Sequence, residues 1–103
     1  MTIFGLYLQE GTPLALFDNV EVDPVAEFEW GCERIAEGDI EQTRRDYPQA
    51  SIFWSVYLHY DAERPENAGF GGVECIADLP TKEAAMAYAE GVQAALEAAR
   101  AAA

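Results

Sequence analysis

The chain has 103 residues, half of them hydrophobic, enough to build the core of one domain spanning 1–103, and this composition excludes a disordered segment. Nineteen acids against six Lys and Arg leave a net charge of −13. That charge excludes direct binding to nucleic acid or anionic lipid, which requires cations against phosphate, and favours encounter with basic surfaces.

Thr2 to Gln9 alternates Phe4, Leu6 and Leu8 against Ile3, Gly5 and Tyr7 and reads as a strand. Glu10-Gly11-Thr12-Pro13 is turn chemistry, after which Leu14 to Phe17 reads as a short second strand with Val20 to Val22 extended. Asp23-Pro24 reads as a helix start, Asp as N-cap and Pro at the first helical position. Val25, Phe28, Cys32, Ile35 and Ala36 follow at helical spacing as one apolar stripe, and Gly38 suits a left-handed cap. Gly31 in such a helix costs up to about 1 kcal/mol against Ala. Asp39 to Gln42 caps a second helical piece that runs through Tyr47 and stops at Pro48. One bent helix and two short ones both satisfy this pattern.

Ser51 to Tyr60 is the most strand-like run and is assigned the centre of the sheet. Ile52, Trp54, Val56, Leu58 and Tyr60 form its core face; Phe53, Ser55, Tyr57 and His59 form a mixed, half-exposed face. A polar loop over 61–69 leads to a hairpin partner, Phe70 to Leu79, whose Val73, Cys75, Ala77 and Leu79 are assigned to the core. Gly71-Gly72 suggests a bulge or a close backbone approach. Pro80-Thr81 opens the last helix with Thr81 as N-cap. Ala85, Tyr88, Ala89, Val92, Leu96 and Ala99 form its buried face, and its alanine-rich end is expected to fray. The order β-β-α-β-β-α predicts an α+β fold. It is a two-layer sandwich, with a mostly antiparallel sheet of three to four strands and two helical segments packed on one face.

No run approaches the ~20 apolar residues of a membrane helix. The first residues lack the basic region and cleavage site of a secretory signal, so a cytoplasmic protein is expected, with Cys32 and Cys75 as reduced, buried thiols. Catalytic patterns are missing too. Gly69, Gly71 and Gly72 sit in a hairpin and no Lys-Ser/Thr follows them. Ser55 and the one histidine, His59, lie about 13 Å apart along a strand, too far for a nucleophile–base pair. His59, Asp61 and Glu63 alternate at about 6–7 Å, wide for one metal. Neither an enzyme, a metal nor a cofactor is expected.

Two features stand out as binding candidates. From Asp18 to Glu41 nine acids face one arginine, a net −8, and the acids include Asp23, Glu27, Glu29, Glu33, Glu37 and Glu41. On a continuous helix Glu29, Glu33, Glu37 and Glu41 form a ridge of carboxylates about 6 Å apart. Like charges at this spacing destabilise a helix by a few tenths of a kcal/mol per pair. A row of anions fits a cationic groove built for phosphates; the plain alternative is a solvated acidic face. The second feature is aromatic: Phe53, Tyr57 and His59, with Glu74 and Ile76 on the neighbouring strand, on the open sheet face, and Trp30 as a surface anchor of the kind found in interface hot spots.

These features lead to an expected function. It is a small acidic protein-binding inhibitor that mimics nucleic acid on a basic, nucleic-acid-binding partner. Anti-CRISPR and anti-restriction proteins share this size and charge, an analogy that rests on no motif. The alternatives are an immunity protein or antitoxin against a basic toxin, and a homodimeric ligand-binding module using the open sheet face.

Overall fold

The computed structural model describes residues 13–67 and 71–102; the strand expected over Thr2 to Gln9 lies outside them. Pro13 leads into a 3₁₀ turn, Leu14–Leu16, where a short strand was expected. Strand β1 (Phe17–Phe28) then runs for twelve residues and turns back into β2 (Gly31–Arg34). A 3₁₀ turn at Glu37–Asp39 leads into α1 (Ile40–Asp46). Next come β3 (Ser51–Tyr60), a 3₁₀ turn at Pro65–Asn67, β4 (Val73–Leu79) and α2 (Lys82–Ala102). The sheet order is β2-β1-β3-β4, and every neighbouring pair is antiparallel. The expected α+β class and the order β-β-α-β-β-α are both present, but the first two strands are Phe17–Phe28 and Gly31–Arg34 and not the segments expected to form them.

The main correction falls between Pro24 and Gly38, where a helix was expected and the chain forms the β1–β2 hairpin. Pro24 does not break β1, because of where its missing N–H points. In an antiparallel strand a residue's N–H and C=O point to the same side. The Pro24 carbonyl accepts from Ile35 N–H at 3.1 Å, so the absent donor faces the end of β2, just past its last pair, Val25 with Arg34. The pairing with β3 loses nothing, and Pro24 sits opposite Trp54 in register. The hairpin also relieves the helix's like-charge repulsion. Glu29 lies in the turn, Glu33 on β2, Glu37 in a 3₁₀ turn and Glu41 on α1, so the expected ridge does not form. Gly31, at φ 135°, closes the two-residue turn Glu29-Trp30 in a conformation that side chains rarely adopt.

β3 is the centre of the sheet, as expected, and its core face is buried under α2. Trp54, Val56 and Leu58 pack with Phe17, Ile76, Ala77, Ala85, Ala89 and Leu96; Tyr88, Val92, Leu79 and Ile40 close the margin. Burying a side chain such as Leu96 stabilises by about 1.5–3 kcal/mol. The expected alternation of β4 holds only in part. A register shift opposite Val56 and Tyr57 lets Ile76 and Ala77 both enter the core and turns Cys75 to the opposite face beside Tyr57, while Val73 stays exposed. Thr81 caps α2, its Oγ1 accepting from Ala84 N–H at 3.1 Å. The far end of α2 is tied down at a point expected to fray. Arg100 donates to the Phe17 carbonyl at 2.7 Å and pairs with Asp61 at 3.1 Å. Asp61 N–H in turn donates to the Leu16 carbonyl, and Asn67 Nδ2 donates to both Leu16 and Asp61 carbonyls. Among the described residues no helix is long and apolar enough to cross a membrane.

Candidate protein-binding surfaces

The hairpin carries the first candidate surface. Phe28 ends β1, Trp30 occupies the turn, and Tyr47 follows α1 just before Pro48 turns the chain towards β3. The three rings meet. Phe28 and Trp30 stack at 4.5 Å and 8°, and Tyr47 sets its ring nearly perpendicular to both, at 5.0 and 5.7 Å. Trp30 Nε1 donates to Glu33 Oε2 at 2.6 Å, a charge-assisted bond that fixes the indole. Even so, Trp30 is 64% and Tyr47 46% exposed. The rings border a cleft of about 600 Å³ whose walls include Glu27, Glu29 and Asp46. Asp46 accepts from Gln42 at 2.9 Å. Among the described residues no cation lies within 4 Å of Glu27, Glu29, Glu33, Glu41 or Asp46.

The second surface is the sheet face away from α2. Strand register places Glu21, Asp23, Arg34, Ser55, Tyr57 and His59 together there. Arg34 reaches across β1, pairs with Glu21 at 3.4 Å and Asp23 at 3.7 Å, and rests its guanidinium 4.7 Å from the Tyr57 ring centre. His59 Nε2 lies 3.2 Å from Glu21. Ser55 donates to Asp78 at 2.5 Å. Burial, and then the adjoining Glu21 carboxyl, raise the Asp23 pKa to about 6; the Glu21 pKa is lowered, chiefly by hydrogen bonding to Asp23. Burial also pushes the Tyr57 phenol up.

No known protein family, characterised sequence or solved structure is significantly similar to the chain.

The expected site residues therefore divide into groups. Glu27, Glu29, Trp30 and Glu33 gather at the hairpin tip. Glu37 is held elsewhere, bonded to Lys82 at the start of α2 at 2.7 Å. Glu41 is exposed on α1, and Asp23 belongs to the sheet-face network. The half-exposed aromatic face is corrected in part: Phe53 is half-buried, but Tyr57 is only 9% exposed beneath Arg34. Ile76, expected on that face, lies in the core.

The thiols are corrected too, Cys32 being exposed on β2 and Cys75 half-buried, both free. An edge strand presents its outer face to water, and the β4 register shift turns Cys75 away from α2. The sequence reading missed Tyr47, Asp46 and the role of Phe28. A hairpin reading of Phe28-Glu29-Trp30-Gly31, with glycine closing the turn, would have placed two aromatics at one tip. The contact with Tyr47 is tertiary and has no local signal.

Proposed function

We propose that this chain is an acidic protein-binding module that docks its hairpin tip on a basic partner. The partner surface is of the kind that nucleic-acid-binding machinery presents to phosphate, so docking excludes nucleic acid from it. The supporting observation is that Glu27, Glu29 and Asp46, none of them within 4 Å of a cation among the described residues, line one cleft bordered by exposed Trp30 and Tyr47, while Glu33 holds the indole N–H. Carboxylates steer encounter with a basic surface, and a fixed aromatic supplies contact area at low entropic cost. The Phe53 and Tyr57 face fits this role less well, because a partner would first have to displace Arg34 from Glu21, Asp23 and the Tyr57 ring.

The test is capture of partners from a cell extract on immobilised protein, eluted with a salt gradient. Elution at moderate salt is expected. Loss of the same band with Glu27→Lys/Glu29→Lys/Glu33→Lys, together with protection of that partner from nucleic acid by the unmodified chain, would support the reading. A band that survives both high salt and the triple reversal would overturn it.

A further inference from the structure

Resting on that reading, we infer that the hairpin tip is an arginine-recognition site, in which Trp30 stacks on a guanidinium of the partner and the cleft carboxylates pair with it. Trp30 has the physical properties of a platform. One face of its indole lies on Phe28, its edge meets Tyr47, and its N–H is held by Glu33, yet the ring remains mostly exposed. Rigid aromatics lose little entropy on binding. The hydrogen bond to a carboxylate draws positive charge from the N–H edge and leaves the π-face richer in electrons, which strengthens attraction for a cation.

The chain already uses this contact elsewhere. Arg34 lies over Tyr57 and the Lys82 ammonium lies 5.7 Å from the Trp54 ring centre. Trp30, the most exposed of these rings, has no such cation among the described residues. Glu27, Glu29 and Asp46 bring negative charge into the adjoining cleft, which matches a cation and repels phosphate or a carboxylate ligand. The choice between arginine and lysine follows from shape. A planar guanidinium can stack on the indole while its fork of N–H groups reaches carboxylates at the rim; a tetrahedral ammonium cannot do both in one plane. A lone acidic patch would accept any cation, whereas the ordered indole beside it selects the flat one.

The experiment is an NMR titration of the intact chain with the blocked tripeptide Gly-Arg-Gly, following the two indole N–H resonances, with Trp54 as internal reference. Gly-Lys-Gly and Gly-citrulline-Gly are the comparison probes, citrulline having nearly the shape of arginine without its charge. The Trp30 resonance should move with the arginine peptide and the Trp54 resonance should not. Affinity should be about threefold to fivefold above the lysine peptide and at least tenfold above citrulline. Trp30→Ala, read through the Phe28 and Tyr47 ring signals, should abolish the response; Tyr47→Ala and Glu29→Gln should weaken it severalfold. Both are exposed positions, so circular dichroism should show the fold unchanged. Equal binding of citrulline and arginine, or unaltered binding by Trp30→Ala, would overturn the inference. So would a shift of Trp30 that tracks protein concentration alone, which would assign the tip to contact with a second copy. Partner capture that is lost in the triple charge reversal but kept in Trp30→Ala would leave the proposed function standing and remove only arginine stacking. Capture indifferent to the charge reversals would remove the function itself.

Discussion

Asp23 shows how a single side chain can tie the fold to pH. Its carboxyl faces Glu21 on its own strand and Arg34 on β2, with His59 on the other side of Glu21, and one of its oxygens is buried without a hydrogen bond among the described residues. Its folded pKa, about 6, lies above the ordinary Asp value of 3.8. The folded state therefore holds this proton more tightly than the unfolded chain does. The associated stability is complete below about pH 4 and is lost as pH rises through 6. Glu21, whose pKa is lowered, acts in the opposite sense and loses its contribution on acidification. Asp23→Asn should thus raise the melting temperature at pH 7.5, with the gain shrinking towards zero between pH 6 and 4. Melting curves of both proteins across that range are the measurement; a gain that grows on acidification would contradict the assignment. The pKa shift itself was not legible in the sequence. It arises from strand register, which places Glu21 and Asp23 on one face under Arg34.

At the scale of elements, legibility followed how strongly each segment fixes its own period. β3 was readable because Ile52, Trp54, Val56, Leu58 and Tyr60 recur at every second position, and α2 because Thr81 caps a long alanine-rich stripe. α1 was readable from Asp39 before it and Pro48 after it, although the expected capping box does not form: Asp39 makes no side-chain cap bond and Gln42 donates to Asp46 instead. The hairpin was not, since Val25, Phe28, Cys32 and Ile35 follow helical spacing, and Asp-Pro, a common helix start, here lies inside a strand. The choice is made by β3, which needs a long partner: β1 pairs with it from Ser51 through Tyr60, across one irregularity between Phe17 and Asn19. Propensity yielded to tertiary pairing. Two substitutions test this account. Gly31→Ala meets no atom within 4 Å, so its cost is backbone strain alone, about 1–2 kcal/mol in chemical denaturation. Were Gly31 inside a helix, the same change would stabilise the protein instead. Trp54→Ala, in the core beneath α2, should cost about 3–5 kcal/mol by the same measurement.

For the whole molecule the net charge of −13 acts on both stability and association. The fold repels itself, so adding salt up to about 0.2 M should raise the melting temperature even as it weakens partner capture, because screening acts on both. The charge reversals at Glu27, Glu29 and Glu33 should slow association more than they speed dissociation, as rim charges do, which stopped-flow mixing with the captured partner would show. A dissociation-dominated loss would instead point to a buried contact. The acid surplus and its concentration before Glu41 were plain in the sequence. Its arrangement was not, because a four-residue spacing makes a ridge only on a helix. In the hairpin the same residues separate, and Glu37 turns to Lys82.

The Arg100 contacts have a further consequence, for the order in which the chain folds. The bond to the Phe17 carbonyl joins the last turn of α2 to the first residue of β1, 83 residues apart, and the pair with Asp61, 39 residues away, ties the same end to the chain just past β3. Closing so long a loop is costly, and its contacts form only after the intervening sheet has paired. Arg100 is therefore expected to act after the rate-limiting barrier, with a φ-value near zero. Arg100→Ala should leave the refolding rate almost unchanged and accelerate unfolding, steepening neither limb of the chevron. The clasp would then set how long the native state lasts once formed, with little influence on how quickly the chain reaches it.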